Sequence, residues 1–340
     1  MKRRIYILLH LFILTVFNSY SQDAHYSQFY ANPLYLNPAF AGTVNCPRFT
    51  LNFRDQWPAF KNNFLSFSAG YDQHISDLHG GIGVLVSGNI VGGGIFQSYN
   101  AGVIYNFRIQ AAHQFYLQFA LQASYLYNSI NWNKLHFASE ILDPTLPSDL
   151  PLEQNPNLVK SQFDATFGFV AYTPYLYFGF AMHHLLPIQI TYLKTSSNKF
   201  KTLWEPKWTG HIGGKIAIVQ KMRGENNFGD IYLHPNIIFI SQGKFHYLHE
   251  GFYFNFYPFT LGAWVRHNFK NLDAVIISCG VEYKLIRVGY SYDFNLTKLE
   301  KSGGAHEVSL QFIIPCDPDR TSKSSRKSKF KAPPVDCPLF

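Results

Sequence analysis

Residues 115–128 read Phe-Tyr-Leu-Gln-Phe-Ala-Leu-Gln-Ala-Ser-Tyr-Leu-Tyr-Asn, and apolar and polar side chains alternate along them. The odd positions of the first part are apolar: Phe115, Leu117, Phe119, Leu121 and Ala123. The other face is polar at Gln118, Gln122, Ser124 and Asn128. Because successive side chains of a β-strand point to opposite faces, this pattern predicts a strand with one apolar and one polar face.

The same two-residue period recurs along the chain and predicts fourteen strands. Many of them reach about ten residues, which is enough to cross a bilayer at a tilt. The expected spans are 47–57, 63–75, 80–91, 95–109, 114–130, 162–173, 175–185, 207–219, 229–242, 245–257, 259–268, 272–285, 286–297 and 304–315. A soluble β-sandwich and a membrane β-barrel would show the same alternation, so other features of the sequence must distinguish these two folds.

Composition favours a membrane barrel over a soluble sandwich. Charged residues make up 15% of the chain and aromatic residues 17%, whereas soluble domains carry about 25% charge. After residue 21 the sequence offers no apolar run long enough for a spanning helix. Lipid outside and a polar lumen inside suit this mixture of residues.

The lengths of the connections indicate how such a barrel lies in the membrane. Bacterial barrels have short periplasmic turns and longer external loops. The long connections 131–161 and 186–206 fall on one side of the predicted sheet, and tight turns fall on the other, with the fairly long connection 220–228 as the exception on that side. We therefore expect an all-β, transmembrane antiparallel barrel of about fourteen strands in the outer membrane, with its C-terminus in the periplasm.

Both ends of the chain differ from the barrel, residues 47–315. Residues 1–21 combine a basic start, an apolar run and small residues before Gln22, which is typical of a secretory signal peptide. Residues 22–46 are irregular and contain Asn32-Pro33 and Asn37-Pro38, which favour turns. The net charge of +8 is concentrated in the signal peptide and the tail, so nucleic acid is not an expected partner.

The tail, residues 316–340, is basic and rich in Ser, Lys, Arg and Pro, a composition typical of a free, disordered segment. A solvated tail is one interpretation, and an electrostatic tether to an acidic periplasmic partner is the other. The apolar end favours docking. The candidate docking residues are Arg320, Lys323, Arg326, Lys327, Lys329, Lys331 and Phe340.

The four cysteines follow a secretory signal, so disulfides are possible. A Cys316–Cys337 bridge, which would close the tail into a loop, is slightly favoured. The alternative is a Cys46–Cys316 bridge across the first and last strands, and free thiols are the third option. Cys279 has the parity of the lipid face.

Charged residues with lumen parity are expected to pair across the barrel interior and hold a plug, or to select a substrate. They are Arg54, Asp164, Lys215, Glu282, Arg287 and Asp293.

No enzyme, metal site or cofactor is expected. His183 and His184 are adjacent, so on a strand they would face opposite ways, as would His246 and His249. No set of Ser, His and Asp is singled out. The glycines at 92–94 predict a hairpin tip rather than a phosphate cradle.

Residues 22–42, which read Gln-Asp-Ala-His-Tyr-Ser-Gln-Phe-Tyr-Ala-Asn-Pro-Leu-Tyr-Leu-Asn-Pro-Ala-Phe-Ala-Gly, resemble the opening of the PorP/SprF family of type IX secretion system proteins. The segment is also similar to the hatch of fatty-acid transporter barrels. The resemblance implies that it plugs or collars the lumen, with Asn32, Pro33, Asn37, Pro38 and Ala39 as the candidate residues.

The resemblance further implies a role without catalysis in secretion and gliding motility. Such barrels support export or surface anchoring of a large adhesin by recognising its C-terminal domain, or associate with the periplasmic ring of the machinery. The external loops 131–161 and 186–206 would then bind the adhesin. The alternative is an outer-membrane channel for hydrophobic small molecules, and a barrel enzyme is the least favoured class.

Overall fold

The computed structural model describes residues 23–44, 46–131, 134–135, 159–189, 203–219, 231–297 and 300–316. The expected signal peptide, Gln22 and the tail beyond Cys316 lie outside the described residues. Most of the long connections 131–161 and 186–206 lie outside them as well.

Almost all of the regular structure is β-strand. The strands are β1 (Arg48–Gln56), β2 (Phe64–Ile75), β3 (Gly80–Val91), β4 (Phe96–Ala112), β5 (Phe115–Ile130), β6 (Val159–Tyr172), β7 (Leu176–His183), β8 (Ile188–Gln189), β9 (Leu203–Trp204), β10 (Lys207–Gly214), β11 (Ile216–Val219), β12 (Ile231–Gln242), β13 (Phe245–Phe256), β14 (Phe259–His267), β15 (Leu272–Tyr283), β16 (Ile286–Asn295) and β17 (Ala305–Ile313).

Strands of the described chain form a closed antiparallel barrel of fourteen staves. Each stave pairs with its neighbours in sequence, β1 pairs with β17, and β10 pairs with both β7 and β12, which closes the ring. β10 and β11 together make one stave, interrupted at Lys215. The short β8–β9 hairpin stands apart from the ring. The predicted fold is confirmed, and the fourteen predicted segments match the fourteen staves within a few residues.

The barrel wall follows the alternation in the sequence. On β5, Leu121 is 62% exposed on the outside, whereas Gln122 is 4% exposed on the inside. At the seam, Phe53 opposes Val308 on the outer face and Arg54 opposes Glu307 on the inner face. Closure satisfies the backbone groups of every stave, which a lipid environment requires.

No helix in the described part of the chain is long and apolar enough to cross a membrane.

The barrel has two rims. We call the rim where β1 begins and β17 ends the terminus rim, and the opposite one the loop rim. Tight turns such as 113–114, 257–258 and 284–285 lie at the terminus rim. The connections β5–β6 and β7–β10 lie at the loop rim.

The N-terminal segment, residues 23–44, forms short helical turns inside the barrel, and we call it the plug. It contains 3-10 turns at Phe29–Ala31 and Pro38–Phe40 and one α-helical turn at Pro33–Leu36. Further 3-10 turns lie at Ser76–Leu78 and Glu300–Ser302. Pro33 and Pro38 each stand at the first position of a helical turn of the plug. The backbone N–H that proline lacks would have no partner within the turn at that position.

The core lies where the plug meets the inner wall. Its apolar plug residues, among them Phe29, Leu34 and Phe40, are almost fully buried. They pack against wall side chains such as Ile238 and Trp264.

Candidate functional site

The plug runs through the whole lumen. It begins at Asp23, which contacts residues at the ends of β7 and β12 and the start of β10 at the loop rim. It ends near Gly42, whose N–H donates to Asp72 at the end of β2, at the terminus rim. The described chain therefore starts at one mouth of the barrel and enters its first strand at the other.

Amides hold the central and C-terminal parts of the plug. Asn37 Nδ2 donates to the carbonyl oxygens of Phe169 (3.0 Å) and Phe180 (3.1 Å), and Asn37 Oδ1 caps the following turn by accepting from Ala39 N (2.9 Å). Asn32 Nδ2 donates to Ser68 Oγ at 2.7 Å. The two Asn-Pro pairs thus place an amide at a turn start and direct it to the wall.

Small residues allow the plug to approach the wall closely. A Cβ atom added to Gly168 would lie 2.3 Å from Asn37 Oδ1 and 2.8 Å from Pro38. Ala39 itself is fully buried. The structure thus places all five candidate plug residues, Asn32, Pro33, Asn37, Pro38 and Ala39, inside the barrel.

A buried ionic cluster joins the plug to the seam. Arg54 on β1 donates to Asp293 on β16 (2.8 Å) and to Glu307 on β17 (3.1 Å). The plug enters the same cluster, because Ser27 N and Gln28 N donate to the Glu307 carboxylate at 2.7 and 3.0 Å. These groups are almost fully buried, so each charge depends on its partners.

A second cluster, which we call the Asp23 site, holds the start of the plug at the loop rim. The Asp23 carboxylate accepts from Lys207 Nζ (2.7 Å), Trp204 Nε1 (3.0 Å), His184 Nε2 (3.1 Å) and Gln242 Nε2 (3.2 Å). The other ring nitrogen of His184, Nδ1, lies 2.8 Å from Asp164 Oδ2.

The charges at this site stabilise one another. Burial alone would raise the pKa of Asp23, but Lys207 and His184 hold that pKa well below its usual range. Burial alone would lower the pKa of His184, but Asp23 and Asp164 raise it to about 9. At neutral pH the site therefore contains two cations and two carboxylates.

The expectation that His183 and His184 face opposite ways is wrong. Both side chains are buried, because β7 ends at His183 and His184 adopts a left-handed backbone with φ 58°. That turn brings His184 back over the lumen instead of out to the lipid. His246 and His249 do diverge, since His249 is fully buried and His246 contacts Ser241 on the exposed face.

The remaining charged candidates lie towards the terminus rim. Glu282 pairs with Arg287 at 3.1 Å. Lys215 Nζ lies 4.2 Å from the centre of the Tyr232 ring. All six residues named from lumen parity, Arg54, Asp164, Lys215, Glu282, Arg287 and Asp293, are on the inner side of the wall or at its rim.

The disulfide joins Cys46 to Cys316, so the favoured Cys316–Cys337 bridge is wrong and its alternative is correct. Cys46 precedes β1 and Cys316 follows β17, and pairing of these two strands brings the Cα atoms to 5.4 Å. Cys279 is a free thiol on the exposed outer face. Cys337 and the candidate docking residues of the tail lie outside the described residues.

Arg266 also joins the Arg54 cluster, since its Nη1 donates to Asp293 at 3.0 Å. Sequence reasoning did not identify several residues that hold the plug or belong to these clusters: Asp23, Asp72, His184, Lys207, Arg266 and Glu307. Glu307 and Asp72 have lumen parity on their strands and could have been identified from it. Nothing local marks Asp23, because it lies in the irregular segment.

The plug and the wall leave a cavity near the loop rim. Its volume is about 30 Å³, and it is lined by Ala24, His25, Asn32, Tyr35 and Lys207 among others. That volume suits a few waters rather than an organic solute. The described residues contain no group of three or more His, Cys, Asp or Glu side chains that could hold a metal ion.

Comparison with known proteins gives one family. The model of the family described as type IX secretion system membrane protein PorP/SprF matches residues 18–312. No curated protein matches the chain.

Several solved barrels are similar in structure. The Ralstonia pickettii toluene transporter TbuX is 10% identical over 83% of this chain and 93% of its own, with a TM-score of 0.44. The P. putida toluene transporter TodX gives the same four values. A KdgM porin is 8% identical over 78% of this chain and 99% of its own, with a TM-score of 0.35. Likeness this low does not bear on function.

Proposed function

Because the chain belongs to the PorP/SprF family of type IX secretion system membrane proteins, we propose that it acts without catalysis as an adhesin-binding component of that system. It is an outer-membrane component of the secretion machinery. Its specific task is to support secretion or surface anchoring of a large adhesin, by binding the C-terminal domain of that adhesin.

The plugged lumen is the observation that carries this proposal. The plug bonds to β2, β6, β7, β10 and β17, the ion pair of Asp23 with Lys207 holds its start, and Ser27 and Gln28 donate to the buried carboxylate of Glu307. A barrel filled by its own chain serves better as a rigid platform than as a conduit. The same filling counts against a channel for hydrophobic small molecules.

The binding surface of this platform is the loop rim, with the loops 131–161 and 186–206 and the barrel mouth. The tight turns at the terminus rim support placing that rim in the periplasm. The tail, which begins after Cys316 at that rim, would then meet the periplasmic ring of the secretion and gliding machinery through Lys323, Lys327 and its other basic residues.

The test is a deletion strain complemented with the full-length chain. We expect the deletion to remove the adhesin from the cell surface and the wild-type gene to restore it, measured by surface immunolabelling. Normal surface display in the deletion strain would contradict the proposal.

Planar-bilayer recordings test the alternative. The purified wild-type barrel is expected to show no steady conductance, and uptake of a hydrophobic solute by the deletion strain should equal that of the parent. Steady conductance together with impaired uptake would favour the channel.

A further inference from the structure

The Asp23 site has the build of a receptor for a carboxylate. Three of its four donors come from the barrel wall, where His184 follows β7, Lys207 starts β10 and Gln242 ends β12, and the fourth, Trp204, comes from β9 of the separate hairpin. All four point at one carboxylate at the loop rim. We propose that these donors bind a carboxylate of a partner polypeptide, and that Asp23 occupies the site in the free protein.

The donors are held in place by groups other than Asp23. The His184 ring is fixed by Asp164 and lies beside the Trp204 ring, with the two centroids 5.3 Å apart. Lys207 Nζ lies 4.6 Å from the centre of the Tyr35 ring. Gln242 Nε2 also donates to the carbonyl oxygen of Glu205 at 3.2 Å. A vacated site would therefore keep most of its geometry.

The charges favour an anion in the vacated site. With Asp23 in place, the two cations Lys207 and His184 balance the two carboxylates Asp23 and Asp164. Without Asp23 the same groups carry one net positive charge in a buried setting. Such a charge is costly unless an anion replaces the one that left.

The segment that carries Asp23 is hydrogen-bonded to the barrel wall through Asp23 itself. Asp23 N also donates to Gln242 Oε1 (2.8 Å), Tyr35 Oη donates to Ala24 O (2.8 Å), and the rings of His25 and Tyr26 contact those of Tyr247 and Tyr35. Ser27, the next residue, bonds to Glu307 and Asp293. The proposal requires residues 23–26, of which Ala24 and Tyr26 are buried, to swing out about Ser27 while the rest of the plug stays in place.

The neighbouring cavity gives room for the residue that bears the incoming carboxylate. Its wall is mainly apolar, with Leu36, Ile240 and Phe29, and it contains Asn32 Oδ1, which is buried without a hydrogen-bond partner among the described residues. Ala24 and Tyr26 also line the cavity, so moving residues 23–26 enlarges it. An apolar residue next to a carboxylate fits this shape.

The biological use of the site rests on the proposed function, since the partner at the loop rim would be the secreted adhesin. The site itself can be tested without any adhesin. The two tests are independent. If the peptides below do not bind, the display experiment can still support the proposed function. If adhesin display is normal in the deletion strain, the peptides can still bind to the Asp23 site.

The first measurement uses three peptides on the purified full-length barrel in detergent. Acetyl-Leu-Phe with a free carboxylate represents a chain end, acetyl-Phe-Asp-amide represents a side-chain carboxylate, and acetyl-Leu-Phe-amide is the uncharged control. We expect Asp23→Asn to bind one of the acids at least tenfold more tightly than the wild type, because the internal competitor is neutral. The acid that binds identifies the source of the carboxylate.

The control is Lys207→Met in the Asp23→Asn background, which should lose at least tenfold in affinity for that acid. The amide should bind neither variant. Equal binding of acid and amide, or equal affinity of wild type and Asp23→Asn for both acids, would overturn the proposal.

A second measurement follows the displaced segment directly. In a Cys279→Ser, Cys337→Ser background, an Ala24→Cys thiol should react slowly with a maleimide, since Ala24 is buried. The binding acid should accelerate this reaction at least tenfold in a protein that keeps Asp23, and the amide should not. An unchanged rate at saturating acid would show that the carboxylate binds elsewhere.

Discussion

The two ends of the plug are held by different kinds of interaction. The amino end depends on charge, through the Asp23 site and the cluster of Arg54, Asp293 and Glu307. The carboxyl end contributes no charged side chain: it is held by amides and close backbone packing, as at Asn37 and Gly42, and the ion pair that its backbone meets, Arg48–Asp72, belongs to the wall. The amino end should therefore respond to ionisation and to competing anions, whereas the carboxyl end should respond to shape.

The close packing at the carboxyl end is visible at two glycines. Gly42 has a φ of 67°, and a Cβ atom on it would lie 2.6 Å from Gly81 Cα. A Cβ atom on Gly81 would lie 2.5 Å from Ala41 O. Backbone meets backbone here, so no side chain can move aside.

The largest expected effect lies in the ionic cluster. Glu307→Ala removes one of the two carboxylates that pair with Arg54, and the acceptor of Ser27 N and Gln28 N. It should lower the free energy of unfolding by about 3–5 kcal/mol, because a buried charge loses a partner. Urea titration of the barrel in detergent measures this. The matched control is Glu282→Ala, whose side chain is 25% exposed, with an expected loss below about 1 kcal/mol. Equal losses of unfolding free energy in Glu307→Ala and Glu282→Ala would contradict the special role of the buried cluster.

The next effect tests shape at the carboxyl end. Gly81→Ala forces the plug backbone away from β3 and should cost about 2–3 kcal/mol in the same titration. Gly210→Ala on β10 is the control, because an added Cβ there meets nothing within 4 Å. A harmless Gly81→Ala would mean that the plug is not packed against this strand.

Loss of one amide should have a smaller effect. Asn37→Ala leaves a buried turn without its cap and removes the bonds to two wall carbonyls, which should cost about 1–2 kcal/mol. Asn52→Ala, which loses only a long 3.4 Å bond to Ala31 O, should cost less. The reverse order in urea titration would refute this account of the Asn-Pro pairs.

The smallest expected effect is a local response of the amino end to pH. The pKa of His184 is about 9 in the folded protein, above the usual 6.5. Its contribution to the stability of the folded state is therefore complete below pH 6.5 and is lost as the pH rises through 9. The pKa of Asp23 is depressed, so its contribution is lost only in acid, as the pH falls through that low value.

Hydrogen exchange of residues 23–26 should therefore accelerate between pH 7 and pH 10, beyond the intrinsic base-catalysed increase, while residues 37–42 follow the intrinsic rate. His184→Gln is the control, since it removes the titrating group. In this variant the exchange rate of residues 23–26 should rise with pH only as fast as the intrinsic rate. A pH response of equal size at both ends would contradict a charge-dependent amino end.

The fold could be predicted from the sequence because the membrane imposes it on each strand separately. Residues 115–128 need only their own alternation to place Leu121 outside and Gln122 inside. The order of staves then follows from chain order, and pairing of the first and last strands explains the Cys46–Cys316 bridge.

The contents of the lumen were harder to predict, since each contact joins distant parts of the chain. Asn37 was identified, but its partner Phe169 lies 132 residues away. His184 was expected to face away from His183, but its left-handed backbone breaks the strand parity. Asp23 carries no local pattern at all, and only its converging donors reveal its role.

The hydrogen bond between Ser27 and Glu307 spans 280 positions of the chain, which bears on how the protein is assembled. Long-range closure of this kind is slow, because much of the chain must be ordered first. The plug therefore gains its firm anchor only after the final strand has been delivered and joined to the first. A polypeptide truncated before that strand would present a loose amino end, so damage at one terminus would become detectable at the other.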